Sequence, residues 1–172
     1  MSVIEIVEFP HPVLKEVARP VEAMNPELMK FIEDMAETMY NAPGVGLAAN
    51  QVGLARQIAV VDVSTPEEPK NTLVLVNPRI IELSEQTEAE EEGCLSVPEL
   101  RSEVKRALTI TVLAKNLQGE EIKLRAEGFL ARVLQHEIDH LNGTLFIDRI
   151  GRFKRQRYVR QRKKALAAAE KE

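Results

Sequence analysis

The sequence has a single cysteine, Cys94, among 172 residues, so no internal disulfide can form, which fits a reducing cytoplasm. It has no run of eighteen apolar residues, so no transmembrane helix and no membrane contact are expected. Its first residues, Met1-Ser2-Val3-Ile4-Glu5, lack the basic start and apolar stretch of a secretory signal. There is no internal repeat, and only three histidines occur. What is present is ordinary: 44% hydrophobic and 29% charged residues, in a length that suits one domain with one core.

Charge is unevenly distributed. Residues 1–147 carry 24 acids against 13 bases, a net of −11, whereas residues 148–172 carry 10 bases against 3 acids, a net of +7. The charge divides the chain into an acidic body over 1–147 and a basic extension of the same domain over 148–172, whose alanine-rich end favours helix. A tail opposite in sign to the body suggests contact with a polyanion; the plainer reading is a solvated terminal helix.

Asn25-Pro26-Glu27 is a helix start: a capping side chain, a proline at the first position and an acid near the positive helix end. Leu28, Ile32, Met35 and Met39 follow at helical spacing, and Asn41-Ala42-Pro43-Gly44 stops the run. Gln57–Val63 and Thr72–Asn77 are predicted strands, with Asn77-Pro78 breaking the second from Arg79–Leu83. Leu108–Lys115 and Ile122–Ala126 form a predicted hairpin about the turn Asn116-Leu117-Gln118-Gly119, and Gly128–Leu141 is a predicted helix closed by Asn142-Gly143. The fold class is α+β, with mainly antiparallel sheets packed around a central helix and a C-terminal helix at the end.

The sharpest motif lies in that central helix: Gln135-His136-Glu137-Ile138-Asp139-His140, an H-E-x-x-H pattern. Residues four apart share one helix face, so both imidazoles can reach one metal ion, and Glu137 can touch a water held there without being a ligand itself. A divalent cation lowers the pKa of water to about 7, and a neighbouring carboxylate can take its proton. The motif also matches ordinary histidines on an ordinary helix. A catalytic metal usually takes three protein ligands, and no histidine follows His140. Cys94 is the only soft donor available, and on its own it reads equally as a thiolate ligand or as a small buried core residue.

Its surroundings bear on that choice. Glu91-Glu92-Gly93-Cys94-Leu95-Ser96-Val97-Pro98, Gly44-Val45-Gly46-Leu47-Ala48-Ala49-Asn50-Gln51 and Gln135-His136-Glu137-Ile138-Asp139-His140-Leu141 together resemble the three signature motifs of the peptide deformylase family, in the family's order and spacing. The resemblance covers roughly residues 1–147. It implies hydrolysis of the N-terminal formyl group of formyl-methionyl nascent polypeptides, releasing formate, with metal-activated water as nucleophile. It implies Cys94, His136 and His140 as metal ligands and Glu137 as general acid/base. Gln51 and the backbone N–H of Leu95 become oxyanion donors, and Gly46 a contact for the extended peptide backbone. The implied ion is Fe(2+) in cells, with Zn(2+), Ni(2+) or Co(2+) in purified protein. In the family a C-terminal helix of this kind docks on the ribosome near the exit tunnel, so the resemblance implies that partner for the basic tail, and a cytoplasmic monomer is expected.

A methionine side chain needs an apolar pocket. Val45, Phe129 and Val133 are candidates, since Phe129, Val133 and His136 can share one helix face; core packing explains them equally well. Arg101 is a candidate for holding a substrate carbonyl, Gly93 for a bulge that aims the thiolate, and Asp139 for a carboxylate behind the histidines. His11 matches no ligand pattern. The catalytic motifs end before Asn142, so the chain from about Gly151 onward is expected to be dispensable for the site. The rival readings are an H-E-x-x-H endopeptidase with its third ligand downstream of the helix, and a non-catalytic ribosome-associated module.

Overall fold

A computed structural model describes residues 2–171; Met1 and Glu172, the outermost residues of the N-terminal segment and of the basic tail, lie outside the described residues. Helix α1 spans Pro26–Asn41, and Asn25 Oδ1 accepts a hydrogen bond from the Leu28 N–H at 2.8 Å, as its capping role requires. Ile32, Met35 and Met39 are buried against strands β1 (Gly46–Ala48) and β2 (Ile58–Val61).

Strands β3 (Leu73–Leu83), β6 (Thr109–Lys115) and β7 (Glu121–Glu127) complete a five-stranded sheet of order β1-β2-β3-β6-β7, antiparallel throughout. Asn77-Pro78 does not break β3. The strand passes through a register shift between Val76 and Arg79, with Asn77 at φ 52°. Asparagine tolerates that conformation, and here its side chain clamps the Val21 backbone, accepting from N–H at 2.8 Å and donating to C=O at 2.9 Å. A bulge also accommodates Pro78, which has no N–H to give a ladder.

Between β3 and β6 stands an unanticipated hairpin, β4 (Thr87–Cys94) with β5 (Val97–Ala107). Its register jumps from Gly93↔Arg101 to Cys94↔Val97, so the irregularity anticipated at Gly93 is present and leaves Pro98-Glu99-Leu100 unmatched on β5. Helix α2 (Gly128–Leu141) is buried on nearly every side, packed on β1, β2, β6 and β7 of the sheet and on β5 of the hairpin.

The tail forms α3 (Arg152–Glu170), longer than the alanine-rich stretch alone suggests. Its first half is part of the body. Tyr158 is 5% exposed, packs against Phe9, and donates to the Pro98 carbonyl at 3.0 Å. Arg155 pairs with Asp148, and Arg162 donates to the Phe9 carbonyl and to Glu8. The expectation that everything from Gly151 onward is dispensable therefore meets a buried tyrosine. Tyr158 sits in the same apolar cluster as Val97, Val104 and Phe146, against which Cys94 packs.

Candidate metal centre

His136 and His140 lie one turn apart on α2 and project from one face. Their Nε2 atoms are 3.2 Å apart, and Cys94 Sγ is 3.3 Å from His140 Nε2. All three donor atoms fall within 4.8 Å of one another. Four ligands at roughly 2.0–2.3 Å around a tetrahedral ion stand roughly 3.3–3.7 Å apart, so the cluster is sized for one divalent cation. The third donor is thus upstream, on the hairpin, and not downstream as an endopeptidase of the common H-E-x-x-H kind requires.

The sequence offers Asp139 as the carboxylate behind the histidines, but the one in contact with His136 is Glu92. Glu92, two residues before the cysteine, accepts from His136 Nδ1 at 2.9 Å, from Arg106 at 2.8 and 2.9 Å, and from Arg132 at 2.6 Å. A carboxylate on Nδ1 fixes the ring so that Nε2 faces the centre. Asp139 stands one step further out, bridging Arg106 (2.6 Å) and Arg149. Burial opposes the charge on Glu92, but hydrogen bonds from Arg106 and His136 outweigh it and hold the carboxyl well below the usual range. No periodicity rule anticipates Arg106 at 4% exposure; only the alternation of Ser102, Val104 and Arg106 on the buried face of β5 would have marked it.

Burial, then the charges of His136 and Arg106, hold His140 well below its ordinary pKa, so it is neutral and able to coordinate. For His136 burial also opposes protonation, but the Cys94 thiol and Glu92 outweigh it and raise the pKa; a divalent cation competes with that proton. Glu137 is 4% exposed, burial pushes its pKa up to about 7, and its Oε2 has no protein partner among the described residues. A carboxyl poised there can both take and return a proton near neutrality.

Gln51 lies in a 3-10 turn, Ala49–Val52, and is 2% exposed. The Ala48 N–H donates to its Oε1 at 3.0 Å, which settles the orientation of the amide: the NH2 group faces Ser96 Oγ at 3.1 Å and Cys94 Sγ at 3.6 Å. Sequence reasoning missed Ser96, which is fully buried.

These groups open on a cleft of about 680 Å³ lined by Gln51, Cys94, Leu95, His136 and Glu137, and by Val45, Gly46, Arg101, Phe129 and Val133. His140 lies beneath it at 1% exposure. Phe129 and Val45 are 58% and 40% exposed, so neither is core filling, whereas Val133 is buried at 6%. Arg101 pairs with Glu91 at 2.8 Å at the mouth. His11 is a structural residue, its Nδ1 accepting from the Val13 N–H at 3.1 Å. A larger cavity of about 1000 Å³, between the 19–25 segment and α1, contains none of the site residues.

The family model for polypeptide deformylase matches residues 3–156. A peptide deformylase of Rhizobium meliloti (strain 1021) is 46% identical over 96% of this chain and 95% of its own length. Among solved structures, a peptide deformylase from Ehrlichia chaffeensis in complex with actinonin superposes with a TM-score of 0.90 at 38% identity, over 96% of this chain and 98% of that one. A class I type b peptide deformylase from Acinetobacter baumannii with Met-Ala-Ser bound gives 0.82 at 40% identity, over 87% and 100%.

Proposed function

Since the chain belongs to the polypeptide deformylase family, whose members are metal-dependent hydrolases of formyl-methionyl peptides, we propose the following division of that reaction among its residues. Cys94, His136 and His140 hold the ion. A divalent cation there supplies Lewis acidity, lowering the pKa of water to about 7 and polarising a carbonyl. Glu137 takes a proton from water as its oxygen bonds to the formyl carbon. The Gln51 NH2 and the Leu95 N–H donate to the developing oxyanion. Glu137 then returns the proton to the leaving nitrogen as the C–N bond breaks, and the remaining acid proton passes to the freed amine, so that formamide and water give formate and an ammonium group. Val45, Phe129 and Val133 receive the methionine side chain, Gly46 meets the peptide backbone and Arg101 a substrate carbonyl. The neighbour that carries Met-Ala-Ser supports a substrate with an N-terminal methionine.

The observation that carries this reading is the convergence of Cys94, His136 and His140 in the cleft that also holds Glu137 and Gln51. Its test is formate release from formyl-Met-Ala-Ser by protein prepared anaerobically. Release should stop on chelation and return with Fe(2+), our proposed native ion, with Zn(2+), Ni(2+) or Co(2+) as alternatives in purified protein. Absence of formate from folded, metal-loaded protein would overturn it. Gln51→Leu should lower kcat by about 100- to 1000-fold with a smaller change in KM. A rise in KM alone would reassign Gln51 to ground-state binding.

We propose a cytoplasmic monomer whose catalytic domain spans 1–147, with 148–172 as a basic extension of it. No described helix is long and apolar enough to cross a membrane. Nine bases between Arg149 and Lys164 suit ribosomal phosphates, with affinity falling steeply as salt rises. Removing 163–172 should weaken ribosome pelleting and spare short-peptide hydrolysis. Removing 152–172 should also lower the melting temperature, because Tyr158 leaves an apolar seat behind. Pelleting unchanged by both truncations would leave the tail as a solvated helix only.

A further inference from the structure

Four glycines among the described residues, Gly53, Gly119, Gly128 and Gly143, have a positive φ, and Gly46 is not one of them. An alanine could take the strand conformation of Gly46 without backbone strain. Space, however, is lacking. A Cβ on Gly46 would stand 2.6 Å from Glu137 Oε1 and 2.9 Å from both its Cδ and its Cγ. The carboxylate arm therefore lies against the bare Cα of β1.

We infer that Gly46 is a positioning residue for Glu137: the missing side chain on β1 forms the seat on which the carboxylate rests. This rests on the reading of Glu137 as proton carrier, and it is separate from any contact of the Gly46 backbone with a peptide. The three nearest atoms that a methyl group would strike all belong to Glu137. Backbone need not move, as it must at Gly143, where a Cβ would meet the Lys15 carbonyl oxygen at 2.5 Å. Nor is the displaced group exposed and free to swing, as at Gly93, where the nearest atom is the Arg101 guanidinium at 2.8 Å. At Gly46 the three nearest atoms all belong to the buried Glu137 arm, so the strain falls first on that carboxylate. The fold should survive while the proton carrier shifts, and a shift of about 1 Å in a reacting group can lower a rate about 100-fold.

The test is a cycle of Gly46→Ala, Glu137→Asp and the double variant, each with its metal content measured. Gly46→Ala should load metal normally and lose about 100-fold in kcat, with KM changed less than about 3-fold. Its crystal structure should show the carboxylate rotated off β1. The shorter aspartate arm withdraws from the seat, so Gly46→Ala should cost less than about 3-fold further in the Glu137→Asp background. If Gly46→Ala fails to fold, the double variant should fold, and failure of both overturns the proposal. So does an equal loss in both backgrounds, or a rise in KM at unchanged kcat, because the methyl group would then be blocking peptide. Full activity of Glu137→Ala would instead overturn the role of Glu137 itself, a result distinct from failure of the seat.

Discussion

Replacing Glu137 with alanine should leave the metal ion in place and lower turnover by about 100- to 10,000-fold, the usual contribution of a positioned general acid and base. The cleft supplies three other donors for the ion, so metal content and activity should separate. Metal analysis beside formate release decides it, and equal loss of both would make Glu137 a ligand. The same carboxyl has a signature in stability. Its pKa rises from 4.5 to about 7 on burial, so in metal-free protein the folded state disfavours the ionised form. Below about 4.5 the group is protonated in both folded and unfolded chains and has no effect; the destabilisation grows between the two values and is complete above about 7. Metal-free Glu137→Gln should accordingly melt higher than the parent protein at pH 8 and no higher at pH 4. The reverse ordering would mean that the carboxyl is not held in a desolvated site.

The second large effect is expected at Glu92. Glu92→Ala leaves Arg106 and Arg132, with side chains 3% and 10% exposed, without their shared carboxylate. Removing one partner of such a buried set typically destabilises by roughly 3–5 kcal/mol. At this chain length that corresponds to a melting point lower by roughly 10 °C, measurable by calorimetry. His136 also loses the acceptor on Nδ1, so metal affinity should fall by about 10- to 100-fold in competition with a chromogenic chelator. Unchanged affinity would mean that packing alone orients the ring. Because the Glu92 carboxyl is held below its ordinary pKa, its stabilisation is complete above pH 4.5 and fades as the pH falls below that value.

The parts of the site that could be read in the sequence are those whose geometry is local. The i, i+4 spacing of His136 and His140 fixes their relation whatever the rest of the chain does, and the cap at Asn25 depends on four residues. Cys94 comes beside His140 across 46 positions, through a hairpin that the sequence disguises. The run Thr87–Glu92 is so acidic that no apolar alternation marks it as a strand, yet its backbone pairs with β5 and only Glu92 turns inward. Asn77-Pro78 misleads for a different reason. Turn chemistry marks a local departure from strand geometry, and a bulge answers it as well as a break does. The Glu92–Arg106–Arg132 cluster was illegible because a buried arginine is decided by a partner elsewhere in the chain, not by its neighbours in sequence.

Arg149, Asp139, Arg106, Glu92 and His136 form a chain of alternating sign, each joined to the next by a hydrogen bond, from the turn before α3 to the metal site. For protein engineering these five positions behave as one unit. A library that randomises them singly will return mostly the parental residues at Glu92 and Arg106, the two most buried members, since a change there unbalances a buried charge. Varying Glu92, Arg106 and Arg132 together toward apolar side chains of equal volume can yield a sturdier scaffold, but one whose first histidine is no longer aimed.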